Sequence, residues 1–306
     1  MRINRRRRLN VMVSGEAPAT VVFFSGMGGG TFDWRAVQPA LAGRARCVSF
    51  DYAGMGFSDP GPLPRTSGAA VSDIRAVQKR LKIDPPYHLV GHSIGGMAAR
   101  LFSFLHPQEV AGLVLVDSSC ERQLERWFSP KERVSARREG QKARAKALAL
   151  AIAGELIPGV EEYKMFVGLP DRKLSAAMNE SLHRQRTSPG YLRALSSEMD
   201  SFESRSTAEL DQARRRLGSL PMAVLTGGRS FDSSEEPGAR RQATLEEMHR
   251  EVATLSTRAV HRTIDSGHMI QLERPEAVIA AVSEILDAIE LAKQPDQLPI
   301  TAAVMM

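Results

Sequence analysis

Cysteine is nearly absent from this sequence, in which Cys47 and Cys120 are the two thiols among 306 residues. Two cysteines are too few for the disulfide framework of a small secreted domain, and such usage is typical of a reducing compartment. The N-terminus is basic at positions 5–8, but no apolar segment of the kind found in signal peptides follows it. We therefore expect a cytoplasmic protein.

Long hydrophobic runs are lacking as well. The longest wholly apolar stretch in the C-terminal half covers residues 277–282, whereas a helix needs about 20 apolar residues to cross a bilayer. The sequence also has no His-Glu-x-x-His pair, no Cys/His metal spacing and no Gly-Lys-Ser/Thr phosphate loop. These absences predict a chain without a membrane span, without a metal and without a nucleotide held by such a loop.

Positive charge is in modest excess, because 41 lysines and arginines face 35 aspartates and glutamates, a net charge of +6. Five of the positive charges lie at Arg2 and positions 5–8, and residues 118–220 carry 19 basic against 14 acidic side chains. Neither a zinc-finger spacing nor an aromatic-basic RNA-binding motif accompanies them. We interpret the excess as solvated basic surface and expect no nucleic-acid partner.

Short apolar runs alternate with segments of helical period along most of the chain. This alternation predicts a doubly wound α/β fold with a mostly parallel sheet, and the continuously apolar later strands indicate burial on both faces. The candidate strands are residues 9–13, 20–24, 46–50, 87–90, 112–116, 222–226 and 258–264. The candidate helices are residues 34–41, 69–81, 97–105 and 277–292.

The alternation stops between residues 118 and 220, where the chain becomes charged and helical. A helical insertion between strands is typical of a cap, so we predict a core of residues 1–118 and 221–306 and a helical cap or lid at 119–220. The tail after residue 293 should fray. The cap's larger apolar side chains are candidates for an acyl pocket, although most should bury the cap's own helical faces: Leu124, Trp127, Phe128, Leu148, Ile152, Met165, Phe166 and Leu169.

The pentapeptide Gly-His-Ser-Ile-Gly at residues 91–95 is the most informative motif. An apolar run precedes it and a helix-compatible stretch follows it, and a strand, sharp turn and helix are the setting in which Gly-x-Ser-x-Gly presents a nucleophilic serine. Ser93 is therefore the candidate nucleophile. A serine hydroxyl needs a neutral imidazole to take its proton, donors for the oxyanion and a carboxylate to orient the imidazole.

Four separate segments resemble the α/β-hydrolase family, in the family's order and over the whole chain except the cap and tail. These are TVVFFSGMGGG at 20–30, FDYAGMGFSDP at 50–60, LVGHSIGG at 89–96, and Ser-Gly-His at 266–268 with the run 271–275. The resemblance implies an α/β-hydrolase fold, an oxyanion hole built from the backbone N–H groups of Met27 and Ile94, and His268 as the base. One departure is that the first loop begins Ser-Gly where the family usually has His-Gly.

The histidine assignment also has support from position. Only His249, His261 and His268 follow the insertion, where the family's Ser, acid, His order places the base. His261 lies within a strand pattern and His249 on a charged helix, whereas His268 lies in a loop beside a glycine. His92, inside the pentapeptide, is expected to pack or line the pocket.

The triad acid stays open at this level. The usual family position, Gly-x-x-Asp after the strand at 222–226, falls on Ser230 when counted from Gly227, and Asp232 comes slightly later in a loop. Asp117 ends the strand at 112–116, where some family members carry the acid. A strand end holds a side chain more rigidly than a long loop, which favours Asp117 over Asp232, with Asp265 as a further candidate.

The sequence favours a serine hydrolase that cleaves small to medium carboxylic esters or lactones without a cofactor. A macrolide or large-lactone esterase, a receptor and an acyltransferase of the same fold are the alternatives, and the oligomeric state is not indicated. Gly26-x-Gly28 with Asp51 resembles the start of a dinucleotide-binding motif, Gly-x-Gly-x-x-Gly, but the position that requires the third glycine is occupied by Thr31. A haloalkane dehalogenase would carry an aspartate in place of Ser93.

Overall fold

A computed structural model describes residues 1–154 and 174–293. Its centre is a 7-stranded sheet in the order β1-β3-β2-β4-β5-β6-β7. Strand β1 runs antiparallel to β3, and every other neighbouring pair is parallel. The strands are β1 Val11–Ser14, β2 Thr20–Phe24, β3 Arg46–Phe50, β4 Tyr87–His92, β5 Val110–Val116, β6 Met222–Gly227 and β7 Ala259–Ile264.

Side chains alternate between the two faces of the sheet along each strand. Both faces are apolar, and helices cover both. Val22 and Phe24 belong to the apolar cluster under α2, α3, α8 and α9, whereas Val21 and Phe23 belong to the cluster under α1 and α11. The helices are α1 Gln38–Leu41, α2 Ser67–Leu81, α3 Ile94–Leu105, α4 Gln123–Trp127, α5 Pro130–Ala153, α6 Ala176–Arg186, α7 Pro189–Ser201, α8 Thr207–Ala213, α9 Glu236–Ala253, α10 Ile270–Glu273 and α11 Pro275–Lys293.

Two local predictions need correction. The helix predicted at 34–41 is instead a 3₁₀ turn, Thr31–Trp34, followed by α1, because Pro39 fits the first turn of a helix but not its interior. The last strand was expected to be buried on both faces, yet β7 alternates between half-buried and exposed residues because it lies at the edge of the sheet.

The segment of residues 119–220, called the inserted segment below, contains α4–α8 between β5 and β6. Its C-terminal part packs into the core: Tyr191, Phe202 and Leu210 are buried and belong to the cluster around α2 and α3. The predicted pocket residues Met165, Phe166 and Leu169, and the tail after residue 293, lie outside the described residues. No helix of the described ranges is long and apolar enough to cross a membrane.

Candidate active site

Ser93 occupies the sharp turn between β4 and α3, with φ 53° and ψ −126°. A non-glycine residue rarely adopts this backbone conformation, and such strain persists only where the surrounding structure enforces it. The close packing around Gly95 supplies part of that enforcement. A Cβ atom at Gly95 would lie 2.4 Å from the carbonyl oxygens of Phe24 and Ser25, so only glycine lets α3 begin against the end of β2.

Asp117 and His268 meet at the C-terminal edge of the sheet. His268 Nδ1 lies 2.7 Å from Asp117 Oδ2. The Asp117 carboxylate also accepts hydrogen bonds from the backbone N–H of Gly227 at 2.8 Å and from Ser230 Oγ at 2.7 Å. Asp117 directly follows β5, has a positive φ of 41° and is buried. Three donors, from the end of β6 with the turn that follows it and from the loop of His268, therefore hold this carboxylate.

Charge and tautomer at this pair follow from these contacts. Burial alone would raise the pKa of the Asp117 carboxyl, but the hydrogen bond and charge of His268, with help from Ser230, outweigh it and lower the pKa below its usual value. An ionised carboxylate only accepts hydrogen bonds, so His268 Nδ1 carries the hydrogen. His268 Nε2 then keeps its lone pair and can act as a base.

Ser93, Asp117 and His268 line one cavity of about 290 Å³. Its remaining wall contains polar, aromatic and aliphatic side chains: Ser118, Ser119, Gln123, Trp127, Ser230, Phe231 and Leu245. Within the described ranges, no hydrogen bond joins Ser93 Oγ to His268; the hydroxyl lies 3.5 Å from Ser119 Oγ. Catalytic hydrogen bonds are often long or misaligned without substrate, so this geometry is compatible with a nucleophile–base pair.

The loop of residues 25–30, called the β2 loop below, lies against this turn. A Cβ atom at Gly26 would lie 2.7 Å from His92 Nδ1 and 3.3 Å from Ser93 Cβ. Met27 follows in the same loop, and Ile94 is the first residue of α3, where a backbone N–H has no partner within the helix. The structure thus places both predicted oxyanion donors in segments that contact Ser93 or adjoin it.

The serine that departs from the family's His-Gly pattern has a structural role in this loop. Ser25 Oγ donates to the carbonyl of Gly30 at 2.8 Å and accepts from Trp34 Nε1 at 2.9 Å. Both groups lie on the same turn of chain, so the Ser25 hydroxyl closes the loop on itself. The neighbouring Asp51 accepts from the backbone N–H groups of Thr31 and Phe57, which uses its carboxylate structurally.

His92 is buried beneath His268, with ring centroids 4.6 Å apart. Its Nε2 lies 3.0 Å from the carbonyl oxygen of His268, which can only accept, so His92 Nε2 carries the hydrogen. Burial, followed by the nearby His268, lowers the pKa of His92 to about 3. His92 is therefore a neutral support under the loop that carries His268.

The structure does not bring the other candidate acids to His268. Asp232 is exposed, and its Oδ1 accepts from the backbone N–H of Ser234 at 2.9 Å and from Ser234 Oγ at 2.6 Å. These hydrogen bonds lower the pKa of Asp232. Asp265 forms an exposed ion pair with Arg229.

His249 and His261 form a buried network behind Asp117 that sequence reasoning did not identify. His249 Nε2 lies 2.7 Å from the carbonyl oxygen of Ser118, and its Nδ1 lies 2.6 Å from Thr226 Oγ1. His261 Nε2 lies 2.8 Å from the same hydroxyl. Because the carbonyl only accepts, the direction of every bond follows: His261 donates to Thr226, Thr226 to His249, and His249 to Ser118. This chain anchors the turn that carries Asp117.

Known proteins resemble this chain over most of its length. A model of the alpha/beta hydrolase family matches residues 21–281. The uncharacterized protein YqjL of Bacillus subtilis (strain 168) is 21% identical over 272 residues, which cover 89% of this chain and 85% of that protein.

Two solved structures share the fold. A malate-bound thermophilic esterase from Thermogutta terrifontis has a TM-score of 0.63 at 24% identity and covers 92% of this chain and 94% of its own. The enol-lactonase from Burkholderia xenovorans LB400 has a TM-score of 0.62 at 18% identity, over 92% and 98% of the two chains. Because the family model extends from β2 into α11 and the architecture agrees, this chain belongs to the alpha/beta hydrolase family.

Proposed function

We propose that this hydrolase cleaves carboxylic esters through an acyl-enzyme on Ser93, with His268 as base and Asp117 as the triad acid. The observation that carries the proposal is the 2.7 Å hydrogen bond between His268 Nδ1 and the buried Asp117, at the wall of the cavity that Ser93 also lines. That contact fixes the imidazole tautomer in which Nε2 can accept the serine proton.

The proposed reaction has two halves. Ser93 Oγ attacks the ester carbonyl as its proton passes to His268 Nε2, and the N–H groups of Met27 and Ile94 stabilise the oxyanion. The protonated imidazole gives the proton to the leaving alcohol, which leaves an acyl group on Ser93. Water, deprotonated by the same nitrogen, attacks the acyl carbonyl. Collapse of the second tetrahedral intermediate breaks the bond between the acyl carbon and Ser93 Oγ, which takes the proton back from His268, and releases the acid.

The size of the cavity favours a small to medium ester. A volume of about 290 Å³ is at the lower end of ligand pockets, which hold roughly 300–1,000 Å³. Trp127 and Phe231 offer apolar contact to an acyl or alkyl group. The esterase and lactonase among the structural neighbours perform reactions of this class, and we extend it to short esters and small lactones here. A macrolide-sized ring would require the inserted segment to move as a lid.

The experiment is serine labelling combined with turnover. We expect a p-nitrophenyl alkylphosphonate to attach to Ser93, with the adduct located by mass spectrometry, and Ser93→Ala to lose about 10⁶-fold in kcat on p-nitrophenyl esters. Ser135→Ala, which alters an exposed serine of α5, is the matched control and should keep full activity. Near-normal turnover by Ser93→Ala would disprove the mechanism, and a series of acyl chain lengths would define the substrate range.

A further inference from the structure

Helix α7 of the inserted segment holds the β2 loop at a single residue. The backbone N–H of Gly28 donates to Glu198 Oε2 at 2.9 Å, and the Gly28 carbonyl accepts from the Tyr191 hydroxyl at 3.0 Å. Both polar backbone groups of Gly28 are thus bound by side chains about 160–170 residues later in the sequence. The N–H of Met27, one residue earlier, is a proposed oxyanion donor.

The fit of α7 to this loop is close. Gly28 has a φ of +65°, and a Cβ atom there would lie 2.6 Å from the Tyr191 hydroxyl and 3.2 Å from a methyl group of Leu195. Any side chain at this position would push the helix away from the loop. The hydrogen bonds and the packing therefore both depend on glycine at position 28.

Burying a carboxyl group costs folding free energy unless the group is hydrogen-bonded or paired with a charge. Glu198 is only 7% exposed. Its charged and titratable neighbours are Arg65, on the loop before α2, Tyr52, after β3, and Tyr191 of its own helix. The Arg65 guanidinium is itself bound to the buried Asp73, so the backbone N–H of Gly28 is the direct hydrogen-bond partner of Glu198.

We propose that Glu198 is a positioning residue for ester hydrolysis, which holds the β2 loop so that the Met27 N–H points at the developing oxyanion. This inference rests on the proposed function. An oxyanion donor must be placed to within a fraction of an ångström, and removing one costs about 10²–10³-fold in kcat. A variant without the Glu198 carboxyl group keeps the Met27 N–H, but its β2 loop loses the hydrogen bond at Gly28 and can shift.

Titration of Glu198 adds a second consequence. Burial raises the pKa of this carboxyl to about 7, against smaller opposing effects of the Gly28 hydrogen bond and Arg65. The group is neutral below that pH and becomes a carboxylate above it. The carboxylate would bind Gly28, the residue next to the oxyanion donor Met27, and its negative charge opposes the negative charge of the transition state. The rate of the unmodified protein should therefore fall relative to that of Glu198→Gln, which stays neutral, as the pH rises through about 7.

The test compares two substitutions at this position. Glu198→Ala should lower kcat on a p-nitrophenyl ester by about 100-fold with little change in KM, because substrate binding does not need the oxyanion donor. Glu198→Gln keeps an oxygen acceptor, so at pH 6 it should retain kcat within about 3-fold and lose the fall above pH 7. Glu180→Ala, an exposed glutamate of α6, is the matched control and should behave as the unmodified protein.

Three results would overturn the inference: an unchanged kcat for Glu198→Ala, an equal loss for Glu198→Gln and Glu198→Ala at pH 6, or the same alkaline fall in Glu198→Gln. Circular dichroism of each variant checks folding, and the pH profile of Glu198→Gln remains decisive if Glu198→Ala does not fold. Phosphonate labelling of Ser93 separates the two proposals. Unlabelled Ser93 in the unmodified protein would refute the triad, whereas labelled Ser93 with a normal Glu198→Ala would refute only the role of Glu198.

Discussion

At the scale of single residues, Asp117 shows how a strand end fixes a carboxylate. Strand β5 delivers it to the C-terminal edge of the sheet, where Gly227, the last residue of the neighbouring β6, and Ser230, just after that strand, donate to its two oxygens. The oxygen that receives Ser230 also faces His268. The carboxylate of Asp232 instead accepts hydrogen bonds from Ser234 within its own turn and does not contact the His268 imidazole.

We expect Asp117→Asn to lose about 10⁴-fold in kcat/KM, because an amide can donate to His268 Nδ1 and so favour the wrong tautomer. Asp232→Asn is the matched control and should retain activity within about 2-fold. Ester hydrolysis by the two purified variants, with melting temperatures to verify folding, provides the measurement. An inactive Asp232→Asn beside an active Asp117→Asn would reverse the assignment.

Ser230 stands where the family's more usual acid would be, three residues after Gly227, and its hydroxyl contacts Asp117 Oδ2. A carboxylate at position 230 should therefore reach the neighbourhood of His268. We expect the double variant Asp117→Asn/Ser230→Asp to recover about 10–100-fold of the activity lost in Asp117→Asn alone. Steady-state kinetics of the two variants side by side would decide, and equal rates would show that position 230 cannot orient the imidazole.

At the scale of secondary-structure elements, helix α8 ties the inserted segment to the core. Leu210 is fully buried in the cluster that α2 and α3 share, and Glu209 accepts hydrogen bonds from Thr66 Oγ1 at 2.7 Å and the backbone N–H of Gly68 at 2.8 Å. This end of the inserted segment is therefore built into the protein. Any lid movement must involve the parts that precede α7.

Leu210→Ala should lower the free energy of unfolding by about 2–5 kcal/mol, because it leaves a cavity between α8 and the core. Leu291→Ala is the matched control, since Leu291 is 71% exposed on α11; it should change stability by less than about 0.5 kcal/mol. Urea unfolding followed by circular dichroism measures both. A loss below about 1 kcal/mol for Leu210→Ala would mean that the inserted segment contributes little to the core.

Much of the fold was predictable because it depends on local patterns. All seven strands lie within a few residues of their predicted positions, since short runs rich in apolar or β-branched residues and bounded by turns indicate strands locally. Motif and chain order predicted Ser93 as the nucleophile and His268 as the base. The choice among acids was only a preference, because whether a loop carboxylate such as Asp232 turns inward depends on contacts that no local pattern contains.

The buried hydrogen bonds of polar side chains could not be predicted from the sequence for a related reason. Glu198 stands in a charged segment and looks like any exposed glutamate, yet its partner Gly28 is 170 residues away. His249 lies on a polar helix, and its contact with Ser118 spans 131 residues. Ser230 was visible as an irregularity in the family spacing, but its bond to Asp117 required the packing of β5 beside β6.

At the scale of the whole molecule, the buried His92 and Glu198 make opposite contributions to the pH dependence of the free energy of unfolding. His92 has a pKa lowered from 6.5 to about 3. Between these values the unfolded chain binds a proton that the folded protein does not, so stability rises with pH. Glu198 has a pKa raised from 4.5 to about 7, so there the folded protein binds the extra proton and stability falls with pH.

Glu198→Gln removes one side of this balance. Each proton changes the slope of unfolding free energy by about 1.4 kcal/mol per pH unit. Between pH 4.5 and 6.5, where the difference averages somewhat less than one proton, the stability of Glu198→Gln should therefore rise by about 1 kcal/mol more per pH unit than that of the unmodified protein. Urea titrations at five pH values test this slope, and parallel curves would contradict it.

The sheet order has a consequence for how activity arises during folding. Ser93 and Asp117 lie 24 positions apart and directly follow the adjacent strands β4 and β5, whereas the His268–Asp117 contact spans 151 residues and the whole inserted segment. Long loops close slowly, and among the described strands β7 joins the sheet through β6 alone. A growing chain can thus complete the turn of Ser93 long before it can place the histidine. During refolding, hydrolase activity should return after the circular dichroism signal of the sheet, as the final C-terminal strands dock.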